Sequence, residues 1–391
     1  MTSLEQAAAL LRSEDAAGLL FAALTGAADP VPPGFSVRLT NWQYRPGAEA
    51  TAGYEATYAV SDGTVTEHLF VTTATVGPPA VRASRDGLSF AVWRHPGDPL
   101  LPGLAPACSP EEVMRWLDVH PREFGLALLG YRPLRRAVLR ATADGTTTYL
   151  KVLRPDRADA LALRQHLVAG AGLTPPLRSR PRPGVLVTDA APGRSLAAAL
   201  ADPSRPALPT PAEIVDLLDA LPSGLAALPR RPAWSERLDF HAATAAERLP
   251  DEAGRIATIA GRIGRVVATA PVGPVGPTHG DLHEANLFVD SGRLGLIDLD
   301  AAGPGLREDD LGCLLGHLAV LPGLSPAHYG LVPSLLEQWT GHFESLVDPD
   351  ALRARTAAVI LSLVAGGDGD QAEHRLGLAE AWAGGPTPDG G

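Results

Sequence analysis

The sequence predicts an α+β protein of more than one domain, and three features of its 391 residues support this prediction. Short runs of alternating apolar and polar residues lie in residues 36–73, and a second group lies between residues 124 and 191. After residue 210 the apolar residues recur at helical spacing, except for one pair of short apolar runs near residue 290. A chain of this length exceeds one small hydrophobic core, so we expect two or three domains.

The N-terminal region is predicted to be a helix followed by a small antiparallel sheet. Residues 3–24 have an apolar helical face, and Ser3 with Gln6 three residues later fits a capping box. The Pro- and Gly-rich residues 84–107 predict an ordered connector, and Ser109 is the predicted N-cap of the next helix. The predicted strands of this region are residues 36–42, 54–60 and 65–73.

A second antiparallel group is predicted from residue 124, and it contains Lys151. This residue is the only lysine in the chain, whose other cationic side chains are arginine or histidine. Because lysine is a compact point charge and arginine a planar fork, a single retained lysine indicates a site such as phosphate coordination. A lysine at an arbitrary surface position is the alternative. The predicted strands are residues 125–131, 137–143, 147–153 and 185–191, with a helix at residues 157–169.

The strongest chemical signal lies in residues 278–312, which read THGDLHEANLFVDSGRLGLIDLDAAGPGLREDDLG. Asp281 and Asn286 lie five residues apart on a predicted loop, and Asp298 follows after a predicted strand, turn and strand. Phosphoryl transfer needs a carboxylate that orients a hydroxyl group, and oxygen ligands that hold magnesium. We assign Asp281 to the first role and Asn286 and Asp298 to the second. A purely structural hairpin with turn-forming Asp and Asn residues is the alternative.

This segment resembles the catalytic and metal-binding segments of the aminoglycoside phosphotransferase and choline kinase branch of the protein-kinase-like superfamily. That branch has Gly in place of the catalytic-loop Arg of protein kinases, as in His279-Gly280-Asp281. It has Ile-Asp-x-Asp where protein kinases have Asp-Phe-Gly, as in residues 297–300, and an Asp-Leu pair that Asp310-Leu311 matches. A multi-part motif in the expected order of strands and loops is strong evidence for such a relationship.

The resemblance implies a bilobal protein-kinase-like fold with an antiparallel N-lobe sheet and a mostly helical C-lobe. We expect an N-terminal cap domain at residues 1–107, the N-lobe at residues 108–188 and the C-lobe at residues 189–391. A cap before the N-lobe is more similar to maltokinase and glucosamine kinase than to the compact antibiotic kinases.

The resemblance also implies roles for residues other than Asp281, Asn286 and Asp298. Lys151 is expected to meet the nucleotide phosphates, and a hinge of Asp189, Ala190 and Ala191 is expected to hold the adenine. His279 and Asp310 are expected to brace the catalytic loop, and Asp300 to support the metal or meet the substrate.

Two departures from the family pattern affect the nucleotide site. No glycine-rich loop stands between the first two N-lobe strands, so Arg135 in that loop is a candidate phosphate ligand, with a solvated loop charge as the alternative. The helix after Lys151 has no Glu to pair with it, and Gln165 is the nearest polar replacement.

Candidate acceptor ligands are polar or aromatic residues of the predicted C-lobe helices. Carboxylates suit sugar hydroxyl or ammonium groups, and a tryptophan face suits a sugar ring or a cation. Each residue also fits a solvated helix face. The candidates are Asp239, Glu308, Asp309, Glu373 and Trp382.

A possible internal repeat links the first two domains. Tyr44-Arg45-Pro46 recurs as Tyr131-Arg132-Pro133, and each is followed by a strand, an Asp-Gly-Thr turn and another strand. A degenerate copy of the N-lobe hairpin would extend the N-lobe sheet as a cap. The alternative is that Asp-Gly is simply a common hairpin turn.

The overall composition restricts the partners and the compartment. A formal net charge of −11 disfavours nucleic acid and anionic membranes, which both favour clustered Lys and Arg. With two distant cysteines and no secretory signal we expect a cytoplasmic protein in a reducing compartment. The longest apolar run, residues 357–367, is too short for a membrane span.

The sequence therefore predicts a Mg²⁺-dependent phosphotransferase that uses ATP or GTP and a small hydroxyl acceptor, namely a sugar, an aminosugar or an aminoglycoside. A Ser/Thr kinase for a peptide in a biosynthetic pathway is the first alternative. The second is a non-catalytic nucleotide-binding pseudokinase, which the missing Glu and glycine loop suggest and the intact Asp281, Asn286 and Asp298 disfavour.

Overall fold

The structure is a computed structural model that describes residues 2–26, 31–32, 34–45, 47–61, 63–204 and 206–384. The chain divides into two compact units, each of which is described by itself. The first is Met1–Ala160 with Leu177–Ala190, and the second is Leu161–Pro176 with Ala191–Gly391. The first unit therefore includes both the region predicted as a cap and most of the region predicted as the N-lobe.

The first unit begins with two helices on a five-stranded antiparallel sheet. Alternation along the second strand turns Ala52 and Tyr54 towards the helices, where they pack with Leu11 and Leu20. The Tyr54 hydroxyl donates a hydrogen bond to the Leu11 carbonyl. The elements are α1 (Ser3–Leu11), α2 (Ala16–Thr25), β1 (Ser36–Arg45), β2 (Glu49–Val60), β3 (Gly63–Thr72), β4 (Val81–Arg85) and β5 (Leu88–Arg94), and the strand order is β1-β2-β3-β5-β4.

Two predictions for this region are wrong. The single helix over residues 3–24 is two helices, and its capping box is formed by Thr2 and Glu5, one residue earlier than predicted. The Thr2 hydroxyl accepts from the Glu5 amide, and the Glu5 carboxylate accepts from the Thr2 amide. Part of the predicted connector is the hairpin of β4 and β5, whose Asp86-Gly87 turn has positive φ at both residues.

A second five-stranded antiparallel sheet follows after two short helices. Ser109 caps α4 by accepting from the Glu112 amide, with Pro110 at the first helical position, as predicted. Leu139 and Leu150 of the sheet pack against α3 and α4. The elements are α3 (Leu104–Ala107), α4 (Pro110–Leu117), β6 (Phe124–Arg132), β7 (Arg136–Ala143), β8 (Thr146–Leu153), α5 (Pro155–Gly170), β9 (Leu177–Ser179) and β10 (Val185–Asp189), and the strand order is β6-β7-β8-β10-β9.

The two sheets of the first unit have the same strand order, counted from their own first strands. The repeated Tyr-Arg pair ends β1 in one sheet and β6 in the other. Pro46 and Asp62 of the proposed repeat lie outside the described residues. The expectation that the first copy extends the N-lobe sheet is wrong, because it forms a sheet of its own.

A buried carboxylate joins the two sheets. Asp98 is 3% exposed and accepts from the Leu134 amide at 2.7 Å and from the Tyr131 hydroxyl at 2.7 Å. Leu134 has a φ of 63° and packs against Phe70 and Trp93 of the first sheet. The β6–β7 loop is therefore fixed by residues of the N-terminal region, although its leucine occupies a backbone conformation that favours glycine.

We predict that Asp98→Ala lowers the free energy of unfolding by about 2–4 kcal/mol, because it leaves buried donors without an acceptor. Urea denaturation followed by tryptophan fluorescence measures the change. The exposed Asp156→Ala is the control and should shift the unfolding free energy by less than about 0.5 kcal/mol. Equal stability of Asp98→Ala and the wild type would contradict the role of this carboxylate.

The second unit is mostly helical, as predicted, and it contains two small sheets where only one hairpin was expected. Its hydrophobic core includes Ile259, Ile360 and Leu376, which come from three different helices. Its elements are β11 (Arg194–Ser195), α6 (Leu196–Leu200), α7 (Pro211–Asp219), α8 (Leu238–Arg248), α9 (Ala253–Thr269), β12 (Gly276–Thr278), β13 (Leu287–Asp290), β14 (Arg293–Leu296), β15 (Gly303–Gly305), α10 (Arg307–Leu324), α11 (Val332–Glu344), α12 (Pro349–Leu363) and α13 (Gly369–Trp382).

Strands β11, β13 and β14 form one of the small sheets, and β12 pairs with β15 in the other. The segment with the strongest chemical signal therefore runs from β12 through the β13–β14 hairpin to the start of α10. Among the described residues, no helix combines the length and the apolar character that crossing a membrane requires.

Candidate active site

The loop between β12 and β13 has a conformation that only glycine fits at its second residue. Gly280 has a φ of +77°, and a Cβ atom there would lie 2.6 Å from the Ala301 carbonyl oxygen. The Asp310 carboxylate, at the start of α10, accepts from the His279 amide and from the Gly280 amide, both at 2.7 Å. Two close hydrogen bonds and a tight backbone approach therefore fix the position of Asp281, the next residue.

His279 holds the same loop from its other side. Its Nε2 atom lies 2.9 Å from the Ile297 carbonyl oxygen, and its Nδ1 atom accepts from the Asp281 amide at 3.3 Å. The ring is fully buried, and this burial lowers the pKa of His279. A neutral ring that donates at Nε2 and accepts at Nδ1 satisfies both contacts. His279 therefore links the loop to Ile297, the residue that follows β14.

The Asp310 carboxyl is also almost fully enclosed, with 1% of its surface exposed. Burial raises the pKa of Asp310 to about 7, although the two amide donors oppose this shift. Its oxygen atoms accept hydrogen bonds in either protonation state. The carboxyl group therefore serves the loop as an acceptor for two backbone amides.

Asn286 and Asp298 are brought together by a backbone hydrogen bond. The Ile297 amide donates to the Asn286 carbonyl at 3.0 Å, and Asp298 is the next residue. The Asn286 side-chain nitrogen donates to the Asp281 carbonyl at 3.0 Å, which leaves its amide oxygen as the atom available to a cation. Asp298 has a φ of 58° and a ψ of 57°, a strained conformation that is common at functional sites.

The chemistry of this pair fits magnesium. Mg²⁺ prefers oxygen ligands, and it is usually held by one or two side chains together with substrate phosphates. An amide oxygen and a carboxylate provide such a set. Asp300, which we expected to support the metal or the substrate, lies in a short 3₁₀ turn, Leu299–Ala301, directly after Asp298.

Trp234 contacts the loop and was not predicted as a site residue. Its indole Nε1–H donates to Asp281 Oδ1 at 3.3 Å, and its ring lies 5.3 Å from the ring of His241. The Arg237 guanidinium lies over both the Trp234 ring and the Phe240 ring, at 5.9 and 5.1 Å. The sequence signal was slight, because Trp234 follows a Pro- and Arg-rich stretch and belongs to none of the motifs.

Two neighbouring acceptor candidates face different cavities. Asp309 and Trp234 line a cavity of about 30 Å³ beside Gly280. Asp309 accepts from Ser235 at 2.9 Å and pairs with Arg355 at 3.0 Å. Burial raises the pKa of Asp309, and the Arg355 charge opposes this shift.

Glu308 lines another cavity, of about 720 Å³, whose lining does not include Asp281. It is 1% exposed and accepts from the Gly273 amide at 2.6 Å. The remaining candidates lie elsewhere in the second unit. Asp239 and Glu373 are exposed, and Trp382 packs partly buried against the helical core.

The candidate nucleotide residues of the first unit lie on or beside its second sheet. Lys151 is in β8, paired with Val138 on one side and Leu186 on the other. Alternation places its side chain on the face opposite Leu150 and Val152, which pack against the short helices. The lysine is therefore on the face away from the α3–α4 layer.

Three more predicted nucleotide residues have defined contacts in this unit. The Arg135 guanidinium pairs with Glu49 of β2 at 3.1 Å, and the Asp189 carboxylate pairs with Arg178 at 3.2 Å. The Ala190 amide donates to the Thr147 carbonyl at 3.3 Å. The boundary between the two units falls between Ala190 and Ala191, within the predicted hinge.

Gln165 belongs to the second unit, whereas Lys151 belongs to the first. Its side-chain nitrogen donates to the Thr174 hydroxyl at 3.2 Å and to the Pro175 carbonyl at 2.5 Å. These contacts anchor the segment that follows α5. The pairing of Gln165 with Lys151 stays a prediction.

A comparison with protein-family models matches residues 135–338 to the phosphotransferase enzyme family APH. This match covers just over half of the chain, so the protein belongs to that family. The prediction that it is a phosphotransferase with a kinase-like α+β fold is confirmed. A comparison with curated proteins gave no match.

Several solved structures are similar to the chain at low sequence identity. A choline/ethanolamine kinase family protein from Mesorhizobium loti is 19% identical, with 71% of this chain and 95% of that chain covered and a TM-score of 0.48. A thermostable mutant of aminoglycoside phosphotransferase APH(4)-Ia, in ternary complex with ADP and hygromycin B, is 15% identical, with 72% and 99% covered and a TM-score of 0.46. An ethanolamine kinase from Plasmodium vivax is 12% identical, with 70% and 87% covered and a TM-score of 0.43.

We predict that Asp310→Asn lowers turnover at least about tenfold, because one of the two loop amides then faces an NH₂ group instead of an acceptor. Steady-state nucleotide consumption measures the rate, and thermal unfolding reports the stability of the variant. The exposed Asp216→Asn is the matched control and should behave as the wild type. A fully active Asp310→Asn would show that the loop needs no carboxylate brace.

Proposed function

We propose that the protein transfers the γ-phosphate of ATP or GTP to a hydroxyl group of a small polar acceptor, with Mg²⁺ as the cofactor. The observation that carries this proposal is the arrangement of Asp281, Asn286 and Asp298 within one unit. Asp281 is held by its own amide and by the braces on the two residues before it, and Asn286 is tied by hydrogen bonds both to Asp281 and to the residue before Asp298.

Each of these residues has a defined role in the proposed reaction. Asp281 accepts a hydrogen bond from the acceptor hydroxyl and takes its proton as the new oxygen–phosphorus bond forms. The bond between the γ-phosphorus and the bridging oxygen breaks, and the nucleoside diphosphate leaves. Asn286 and Asp298 would hold the magnesium, which neutralises charge on the phosphates when it is bound.

The first unit would contribute the nucleotide contacts. Lys151 lies on the middle strand of a five-stranded sheet. This rigid position supports its assignment as the ammonium group that contacts the phosphates. We keep Ala190 and Ala191 as the adenine hinge, since their backbone groups follow the last residue of β10. Arg135 is paired with Glu49, so it would reach a phosphate only by leaving that ion pair.

The surroundings of Asp281 favour a neutral sugar or an aminosugar over a polycationic aminoglycoside. Two carboxylates near Trp234 are already paired, namely Asp309, which lines the same cavity, with Arg355 at 3.0 Å, and Glu236, two residues after Trp234, with Arg230 at 2.7 Å. A polycationic acceptor needs carboxylates whose charge is not neutralised by arginine. A sugar ring stacks on an indole face, and its hydroxyl groups accept hydrogen bonds from arginine. Trp234 provides such a face next to Asp281.

We expect Asp281→Ala to abolish turnover and to leave nucleotide binding nearly intact, because the residue acts on the acceptor and not on the nucleotide. Coupled detection of the diphosphate measures turnover against a panel of sugars, aminosugars, aminoglycosides and peptides, with ATP and GTP. Calorimetry measures nucleotide binding. The exposed Asp251→Ala is the control, and wild-type rates in Asp281→Ala would overturn the proposal.

Two substitutions at Trp234 separate the roles of its ring and its N–H group. Trp234→Phe keeps an aromatic face and removes the donor to Asp281, so we expect a lower kcat with an acceptor KM within about twofold of the wild type. Trp234→Ala also removes the face, so the acceptor KM should rise at least about tenfold.

Trp382→Phe is the matched control for these variants, and it tests the earlier assignment of Trp382 to the acceptor site. We expect its acceptor KM to equal that of the wild type. An unchanged KM in Trp234→Ala, or a larger KM effect in Trp382→Phe than in Trp234→Ala, would place the acceptor away from Trp234.

A further inference from the structure

A cluster of two histidines and a glutamate lies beside the catalytic loop, and none of the roles above uses it. His283 and Glu284 are loop residues between Asp281 and Asn286, and His317 lies on α10. The Glu284 Oε2 atom is 3.8 Å from His283 Nδ1 and 3.9 Å from His317 Nδ1. One ligand atom from each residue lies within 4.8 Å of the other two.

The carboxylate of this cluster is buried, and one of its two oxygen atoms lacks a hydrogen-bond partner among the described residues. Glu284 is 8% exposed, and its Oε2 atom has no hydrogen-bond partner in the described part of the chain. Its backbone carbonyl accepts from the Ala197 amide at 2.9 Å, which fixes the residue in place. Because a buried carboxylate oxygen without a hydrogen bond is unfavourable, such an atom indicates a cation or a proton that completes the site.

The two imidazoles are suited to be neutral ligands. Their rings stack with centroids 4.5 Å apart and an angle of 15° between the planes, so both present an edge to Glu284. A neutral imidazole has one ring nitrogen with an available lone pair. Metal ions require this form of histidine.

We propose that His283, Glu284 and His317 bind a transition metal ion of the zinc type. Two imidazole nitrogens, one carboxylate oxygen and an open fourth position are an established donor set for Zn²⁺, whereas Mg²⁺ prefers oxygen ligands alone. A tetrahedral site with bonds of about 2.0 Å places its ligand atoms about 3.3 Å apart. The two separations between the Glu284 oxygen and the histidine nitrogens, 3.8 and 3.9 Å, exceed this value by about half an ångström.

This ion would be connected to the catalytic loop through one side chain. His283 Nε2 lies 2.9 Å from the side-chain nitrogen of Asn286. The other ring nitrogen of His283, Nδ1, accepts from the Ala285 amide at 3.3 Å, and the ion would take the place of this donor. The binding of the ion itself does not rest on the proposed phosphotransfer.

The test uses the untagged full-length protein with Co²⁺ as the probe, in the presence of excess Mg²⁺. A tetrahedral site with nitrogen ligands gives Co²⁺ an intense visible absorption, whereas an octahedral site of oxygen ligands gives a weak one. We expect one intensely absorbing Co²⁺ per chain, and its displacement by one equivalent of Zn²⁺.

Variants locate the site. His317→Gln should remove the intense band and weaken Zn²⁺ binding at least tenfold, whereas His328→Gln, at an exposed histidine of the same unit, should bind as the wild type. Glu284→Gln is a second variant that keeps the size of the side chain and should also lose the band. Absence of the band from the wild type, or its persistence in folded His317→Gln or folded Glu284→Gln, would overturn the proposal.

Discussion

The hydrogen bonds from two backbone amides to the carboxyl group of Asp310 are the constraint on which the site depends. They bind the loop that carries Asp281 to the start of α10, and Gly280 permits the close backbone approach that this arrangement requires. His279 adds a contact to the end of β14. The loop therefore owes its shape to buried polar contacts, and these are costly to lose because the groups have no water to replace them.

The same logic applies to the loop that takes the place of a glycine-rich loop in the first unit. The Leu134 amide is held by Asp98, its side chain is held by Phe70 and Trp93, and Arg135 is held by Glu49. A glycine-rich loop adapts to phosphates by backbone freedom, whereas this loop is fixed by the first sheet. The contacts of this loop with the N-terminal region are among those that hold these residues in one compact unit.

The sequence was most informative where chemistry restricts the residue type. Asp281, Asn286 and Asp298 stood out because few residues provide oxygen ligands at these spacings, and the hairpin between them was apparent from its apolar runs and its turn. Trp234 was missed because its contact with Asp281 joins residues 47 positions apart, and no local pattern records such a contact. The strands at residues 81–94 were missed because nearby prolines outweighed the Asp86-Gly87 turn.

The most direct test of the account is ³¹P NMR of the wild-type protein with ATP, Mg²⁺ and a panel of neutral sugars and aminosugars. The account predicts that the γ-phosphate resonance decreases while one phosphomonoester resonance and the resonances of ADP grow in equal amounts, and that chelation of Mg²⁺ stops the change. Formation of inorganic phosphate alone, or unchanged ATP with every acceptor in the panel, would contradict it.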